Sequence, residues 1–201
     1  MAKPLTTTSY ALLGLLSIRS WSTYELAKQV ERSLGWFWPR TERKIYDEAK
    51  GLVAQGLATA HQEPTGSRPR TVYEITTTGS EALQAWLGEG SAPPKLEAEA
   101  LVRVFFADAG DLDQLRATLD ELADTARFHL DRLDELISSA DDPDYPFSGR
   151  RHINAIAIRF QHDYHRMIAE WAEWATTQTE AWNATDDPGA WEWRTALADR
   201  T

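Results

Sequence analysis

Four cations crowd one short stretch of the chain, "PRTERKIYDEAKGLVAQGL", residues 39–57: Arg40, Arg43, Lys44 and Lys50. Wound as a helix, this stretch places Ile45, Ala49, Leu52 and Val53 within about 80 degrees of one another at ~3.6 residues per turn. That apolar arc faces a core. The opposite face carries Arg40, Arg43, Asp47, Lys50 and Ala54, with Lys44 on the flank and Tyr46 at the boundary. Guanidinium and ammonium groups projecting from a helix meet guanine O6/N7 or phosphate oxygens when that helix lies in a duplex major groove, whose width of ~12 Å admits it. A solvated surface helix interleaved with Glu42, Asp47 and Glu48 shows the same cation count. The elements on either side must decide between the two.

Those elements form a recognisable order. A first helix begins near Thr8, with Tyr10, Leu12, Leu13 and Leu16 at helical spacing. Ser22-Thr23-Tyr24-Glu25 is a capping box that opens a second helix, closed by Gly35. Its inward stripe is Tyr24 or Leu26, then Val30 and Leu34. Pro39 is a start signal for the cationic helix and Gly56 its stop. The period then switches from helical to two in "LATAHQ" and "RTVYEIT", separated by "EPTGSRP", which reads as a hairpin with Tyr73 and Ile75 inward. A second capping box, Thr78-Gly79-Ser80-Glu81, begins a further helix. Helix, helix, basic helix and hairpin make a winged helix-turn-helix. The hairpin loop supplies Arg68 and Arg70. Ser22, Thr41 and the helix amide ends offer neutral phosphate contacts. Tyr24 and Tyr46 complete the candidate DNA-contact set.

An acidic chain is an odd vehicle for such a helix, since the formal net charge is −10. The asymmetry resolves this. Residues 1–90 hold ten Lys and Arg against nine Asp and Glu, a net of +1, while residues 91–201 hold eleven against twenty-two, a net of −11. Two jobs are implied. The break falls in the Gly- and Pro-rich "GEGSAPPK", residues 88–95, giving domains 1–90 and 91–201. With no cysteine in 201 residues, disulfides and thiolate metal sites are excluded. The N-terminal residues lack the apolar region of a signal peptide, and no apolar run nears the ~20 residues that span a bilayer. The expected location is the cytoplasm.

The second half reads as helix throughout. Leu112, Leu115, Leu119, Leu122, Ala126, Leu130 and Leu133 follow one another at spacings of three and four. So do Ile153, Ile156, Phe160, Tyr164, Met167, Trp171 and Trp174, close to the repeat of ~3.5 that pairs helices. That seam is expected to serve partly the domain's own core and partly a second subunit. Trp36, Trp38 and Trp86 are expected to plug the winged-helix core. Trp171, Trp174, Trp182, Trp191 and Trp193 offer either packing, the favoured reading, or a pocket for a flat effector. His162 and His165 share a helix face and could take a metal, with His152 or Glu170 as third ligand; a solvated face is the favoured reading, so no metal and no cofactor are expected. No phosphate loop, nucleophile elbow or zinc-protease motif is present, and an enzyme is not expected.

The chain resembles the PadR-like transcriptional regulators. "TTTSYALLGLLSIRSWSTYELAKQV" is similar to that family's first two helices, and "GWFWPRTERKIYDEAKGLVAQGL" to its aromatic loop followed by Tyr-x-x-Leu-x-x-Leu-x-x-x-Gly. Tyr46, Leu52 and Gly56 fit that pattern, and Ala49 stands where leucine is usual. "RPRTVYEITTTGSEALQAWL" resembles the wing and the helix after it, and "LVRVFFAD" the opening of the C-terminal domain of longer members. Glu42 to Lys44 depart from the family's small residues, which puts base preference in doubt. The resemblance implies a mainly α protein: an N-terminal winged helix-turn-helix, then an all-α C-terminal dimerisation domain. It implies a homodimeric repressor on a near-palindromic operator in double-stranded DNA, released by a small hydrophobic or aromatic effector. The dimer residues would be Phe105, Phe106, Ile156, Phe160, Tyr164, Met167, Trp171 and Trp174. The other reading is a winged-helix protein-interaction module without DNA binding.

Overall fold

The computed structural model describes residues 4–64, 69–142, 145 and 147–198. The chain divides into two compact units, Met1–Pro93 and Pro94–Thr201.

The first unit runs α1 (Thr7–Leu16), β1 (Trp21–Ser22), α2 (Thr23–Gln29), α3 (Glu42–Ala54), β2 (Ala58–Glu63), β3 (Arg70–Ile75) and α4 (Thr77–Leu87). Its core is aliphatic: Leu12, Leu13, Leu26, Ile45 and Leu52 are the large side chains most fully removed from water, each worth about 1.5–3 kcal/mol. The strands form one antiparallel sheet in the order β1-β3-β2, with Tyr73 opposite both Trp21 and Ala60. A two-residue edge strand carries too little periodicity to be read from sequence. Its presence makes β3 central in the sheet, and both α1 and α2 pack against β3. Val72 and Tyr73 are therefore both buried, whereas simple alternation assigned Tyr73 and Ile75 to the core.

Local chemistry explains the helix ends. Ser22 Oγ accepts the Glu25 amide and the Glu25 carboxylate accepts the Ser22 amide, completing the expected capping box. α2 does not continue regularly to Gly35. Val30–Leu34 widens into a π turn closed by a Gly35 N–H to Val30 carbonyl bond of 2.8 Å. Ser33 Oγ donates to the Gln29 carbonyl at 2.7 Å, diverting an acceptor from the ladder. α3 begins at Glu42, two residues beyond the Pro39-Arg40 pair, because Thr41 caps it. Gly56, at φ 72, ends it with Leu57 N–H reaching the Leu52 carbonyl. The cap of α4 lies two residues before the expected one. Thr76, not Thr78, accepts the Gly79 amide at 3.0 Å, and a Cβ on Gly79 would lie 2.0 Å from the Leu57 carbonyl.

The tryptophan expectation changes. Trp36, Trp38 and Trp86 are only half-buried. The indole that plugs this core is Trp21, 3% exposed, donating to the Leu15 carbonyl at 2.8 Å. Trp86 instead stacks flat on Tyr10, ring centroids 4.8 Å apart, joining α4 to α1.

The second unit contains α5 (Glu99–Phe105), α6 (Leu112–Ala140), α7 (Arg151–Thr179) and α8 (Trp193–Ala198). α6 and α7 pair antiparallel. At one end Arg116 donates to the Thr179 carbonyl and hydroxyl, and at the other Arg151 donates to the carbonyls of Ala140 and Asp142. α6 presents Leu115, Leu119, Ala123, Ala126 and Leu133; α7 answers with Gln161, His165, Ala169, Ala172 and Thr179. Small residues on α7 let leucines of α6 fill the interval. The Ile153–Trp174 seam consequently lies off this contact and does not build the unit's own core. Ile156, Phe160 and Met167 are 76, 62 and 53% exposed, and Tyr164 and Trp171 are half-buried.

His165 is the titratable group enclosed in this hairpin. Its ring lies 4.6 Å from that of His129 on α6 and 5.2 Å from Tyr164. Burial first, and the neighbouring His129 second, push its pKa down to about 4. An unfolded histidine titrates near 6.5, so the unfolded chain binds the extra proton first. Stability from this group is complete above about pH 6.5 and drains as pH falls toward about 4, by a sum of order 3 kcal/mol. His165→Leu should flatten that part of the curve. Urea denaturation of both chains at pH 7 and pH 5 checks it, and equal pH slopes contradict it. His162 lies 3.9 Å from Asp134, and no group of three or more metal-ligating side chains occurs among the described residues.

Candidate nucleic-acid interface

α3 is held from behind by a buried carboxylate. Glu48, 8% exposed, accepts hydrogen bonds from Ser9 Oγ and, at 3.0 Å, from Thr6 Oγ1. Lys44 Nζ approaches it at 3.3 Å. Burial would raise its pKa, but the Ser9 and Thr6 hydroxyls and the Lys44 ammonium outweigh that and leave it lowered. The same Thr6 and Ser9 form the capping box of α1, so the α1 cap and α3 share one polar knot. Sequence reading passed over Glu48 as a surface acid. The available signal was the helical wheel, which turns Glu48 toward Ile45, Ala49 and Leu52; its partners in "TTTS", residues 6–9, lie some forty positions away.

The loop before α3 is pinned to α1 too. Trp38 Nε1 and Arg40 Nε both donate to Thr8 Oγ1 at 3.3 Å, and the Arg40 guanidinium lies 4.1 Å over the Trp38 ring. Arg40 also donates to the Pro39 carbonyl at 2.6 Å. α3 is thus braced at its start, its middle and, through Gly56, its end.

The nominated cations divide by what they touch. Arg43 projects into solvent, its side chain 92% exposed, with Asp47 at 3.8 Å. Lys50 is exposed and has no ion-pair partner among the described residues. Lys44 is tied to Glu48 and Arg40 to Trp38 and Thr8. Arg70 opens β3 and is bound by Glu63 at 2.9 Å and Glu25 at 3.9 Å; the guanidinium holds the Glu63 carboxyl below its usual range. Arg68 lies outside the described residues. Thr41 is exposed at the N-cap of α3, accepting the Lys44 amide at 3.3 Å. Tyr24 is exposed on α2. Tyr46 is half-buried, its phenol raised by burial and then by the Glu42 carboxylate. Ser22 departs from its nomination. It is buried, with its oxygen facing the Glu25 amide, so it shapes α2 and does not present a hydroxyl outward. Phe105 and Phe106, nominated with the seam, are exposed on the second unit at 78 and 61%.

Trp182 and Trp191 pack edge to face with centroids 5.4 Å apart. A cleft of about 400 Å³ lies at the start of α6, lined by Asp108, Asp111, Asp113, Arg116 and Asp186 among others, without a tryptophan.

Residues 12–85 match the family described as "Transcriptional regulator PadR-like family", and residues 98–180 match "Virulence activator alpha C-term". The negative transcriptional regulator PadR of Bacillus subtilis is 30% identical over 125 residues, which cover 57% of this chain and 69% of that one. The chain belongs to the PadR-like family of transcriptional regulators. It is accordingly a regulator and not an enzyme. The fold agrees. Bacillus subtilis PadR solved with operator DNA superposes with a TM-score of 0.74 at 20% identity, covering 86% of this PadR-like chain and 98% of the other. The same protein solved with p-coumaric acid gives 0.70, covering 87 and 99%. The Vibrio cholerae virulence activator AphA gives 0.70 at 22% identity, covering 87 and 99%. No helix among the described residues is long and apolar enough to cross a membrane.

Proposed function

We propose that this PadR-like regulator is a cytoplasmic homodimeric repressor that lays α3 in the major groove of a near-palindromic operator. The observation that carries the reading is the outward row of α3: Arg43 and Lys50 stand free of the fold while Glu48, Thr6 and Ser9 fix the helix behind them. A helix already fixed by the fold loses little backbone freedom when its cations meet phosphate or guanine. Residues 1–90 act as the DNA-binding domain and 91–201 as the dimerisation domain. Exposed apolar side chains along α7, joined by Phe105 and Phe106, give the second copy a surface. Two-fold symmetry then places half-sites about one helical turn, ~34–36 Å, apart. Thr41, Tyr24, Tyr46 and Arg70 border the contact. Arg70 must exchange Glu63 for phosphate to join it.

A planar aromatic effector is proposed because a relative was solved with p-coumaric acid. The cleft at the start of α6 does not suit an aromatic acid, since four aspartates border it and repel a carboxylate. No observation favours a protein-interaction module.

The test is selection of bound fragments from the organism's own DNA, followed by titration against salt. Binding should fall by about one power of salt concentration per phosphate contact. A chain that retains no fragment at low salt is not an operator-binding protein.

A further inference from the structure

The outermost row of α3 is not uniformly basic. Between Arg43 and Lys50 sits Asp47, its side chain 64% exposed and 3.8 Å from the Arg43 guanidinium. A carboxylate in the middle of a row meant for a polyanion needs a reason. The pair is exposed and therefore weak, so it does not explain the acid through stability. The other exposed acid of this helix, Glu42, lies beside the Tyr46 hydroxyl and the buried one, Glu48, is engaged by Ser9, Thr6 and Lys44. Asp47 is left as the acceptor facing outward.

We propose that Asp47 is a specificity-determining residue that selects cytosine in the operator half-site. The proposal rests on the DNA-binding reading above. In the major groove, guanine and thymine present acceptor oxygens that repel a carboxylate. Adenine presents an amino donor beside the N7 acceptor, a pattern suited to an amide. Cytosine presents its N4 amino group with no acceptor of its own alongside, which suits a carboxylate. Arg43 and Lys50 span seven residues, ~10 Å along the helix at ~1.5 Å per residue. That is about three base pairs at ~3.4 Å each. The half-site core is then a cytosine read by Asp47, next to guanine read by Arg43, with Lys50 on a further guanine or a phosphate. The Arg43–Asp47 pair sets the guanidinium beside the carboxylate before contact, so the two read neighbouring edges together.

The experiment selects bound duplexes from a randomised library using the full chain, Asp47→Asn and Asp47→Ala, with thermal melts confirming that all three fold alike. The unaltered chain should enrich cytosine at one position of each half-site. Asp47→Asn should move that position to adenine. Asp47→Ala should lose roughly ten-fold or more discrimination there and keep the other positions. Identical preferences at every position in all three selections overturn the proposal while leaving DNA binding intact. A selection in which the unaltered chain enriches no sequence overturns the DNA-binding reading itself, and this inference with it.

Discussion

Arg43→Ala combined with Lys50→Ala should weaken operator binding by about 1–3 kcal/mol for each side chain that contacts a base. The loss should appear at every salt concentration, and the salt slope should fall by about one unit for each cation that had neutralised a phosphate. The fold should be untouched. Arg43 is 92% exposed on its side chain with Asp47 as its one ion-pair partner among the described residues, and Lys50 is exposed on the same row. Neither supports the core that Ile45, Ala49 and Leu52 form on the opposite face. Fluorescence anisotropy of a labelled operator against potassium chloride, beside a thermal melt, separates contact from stability. Unchanged affinity with an unchanged melt would remove α3 from the interface. Lys44→Ala is the internal control. Its ammonium is tied to Glu48 at 3.3 Å, so its removal should disturb the brace of α3 and register in the melt.

Phe160→Glu should convert the protein to a monomer. Phe160 is 62% exposed on α7, outside the face that α6 covers, so a single chain accommodates a carboxylate there in water. In a two-fold dimer the same carboxylate is forced into an apolar seam beside Ile156 and Met167. Desolvating an unpaired charge costs several kcal/mol, and symmetry imposes it on both protomers. Secondary structure should survive while the mass in solution halves. Operator affinity should drop as well, because two half-sites no longer bind as one tethered pair. Light scattering coupled to size exclusion measures the mass, and Phe160→Leu, which keeps the apolar surface, should remain dimeric. A monomeric mass for the unaltered chain at micromolar concentration would sink the seam as an interface.

How much of this was legible beforehand differs by element. α3 was readable because Ile45, Ala49 and Leu52 recur at helical spacing and Gly56 stops the helix with a positive φ only glycine adopts cheaply. The Ser22–Glu25 box was readable because both partners lie within one turn. β1 was not, since two residues become a strand only by finding Trp21 and Ser22 opposite β3. The tryptophans were misjudged for the same reason. A bulky ring advertises burial, but which ring reaches the core depends on where the chain returns, and it returns at Trp21.

Local order and periodicity in the sequence by themselves determined the succession of helices, the hairpin, the split of charge between halves and the presence of a cationic helix face. Those depend on composition and on neighbours within a few positions of one another. Tertiary structure alone decided which cations remain available. It tied Arg40 to Thr8 and Arg70 to Glu25, and buried against Ser9 and Thr6 the Glu48 that holds Lys44, leaving Arg43 and Lys50 outward. It also decided that Ala169 and Ala172, not the Ile153–Trp174 seam, meet α6. Such pairings join residues distant along the chain, and only the folded backbone brings their charges and surfaces within reach of one another.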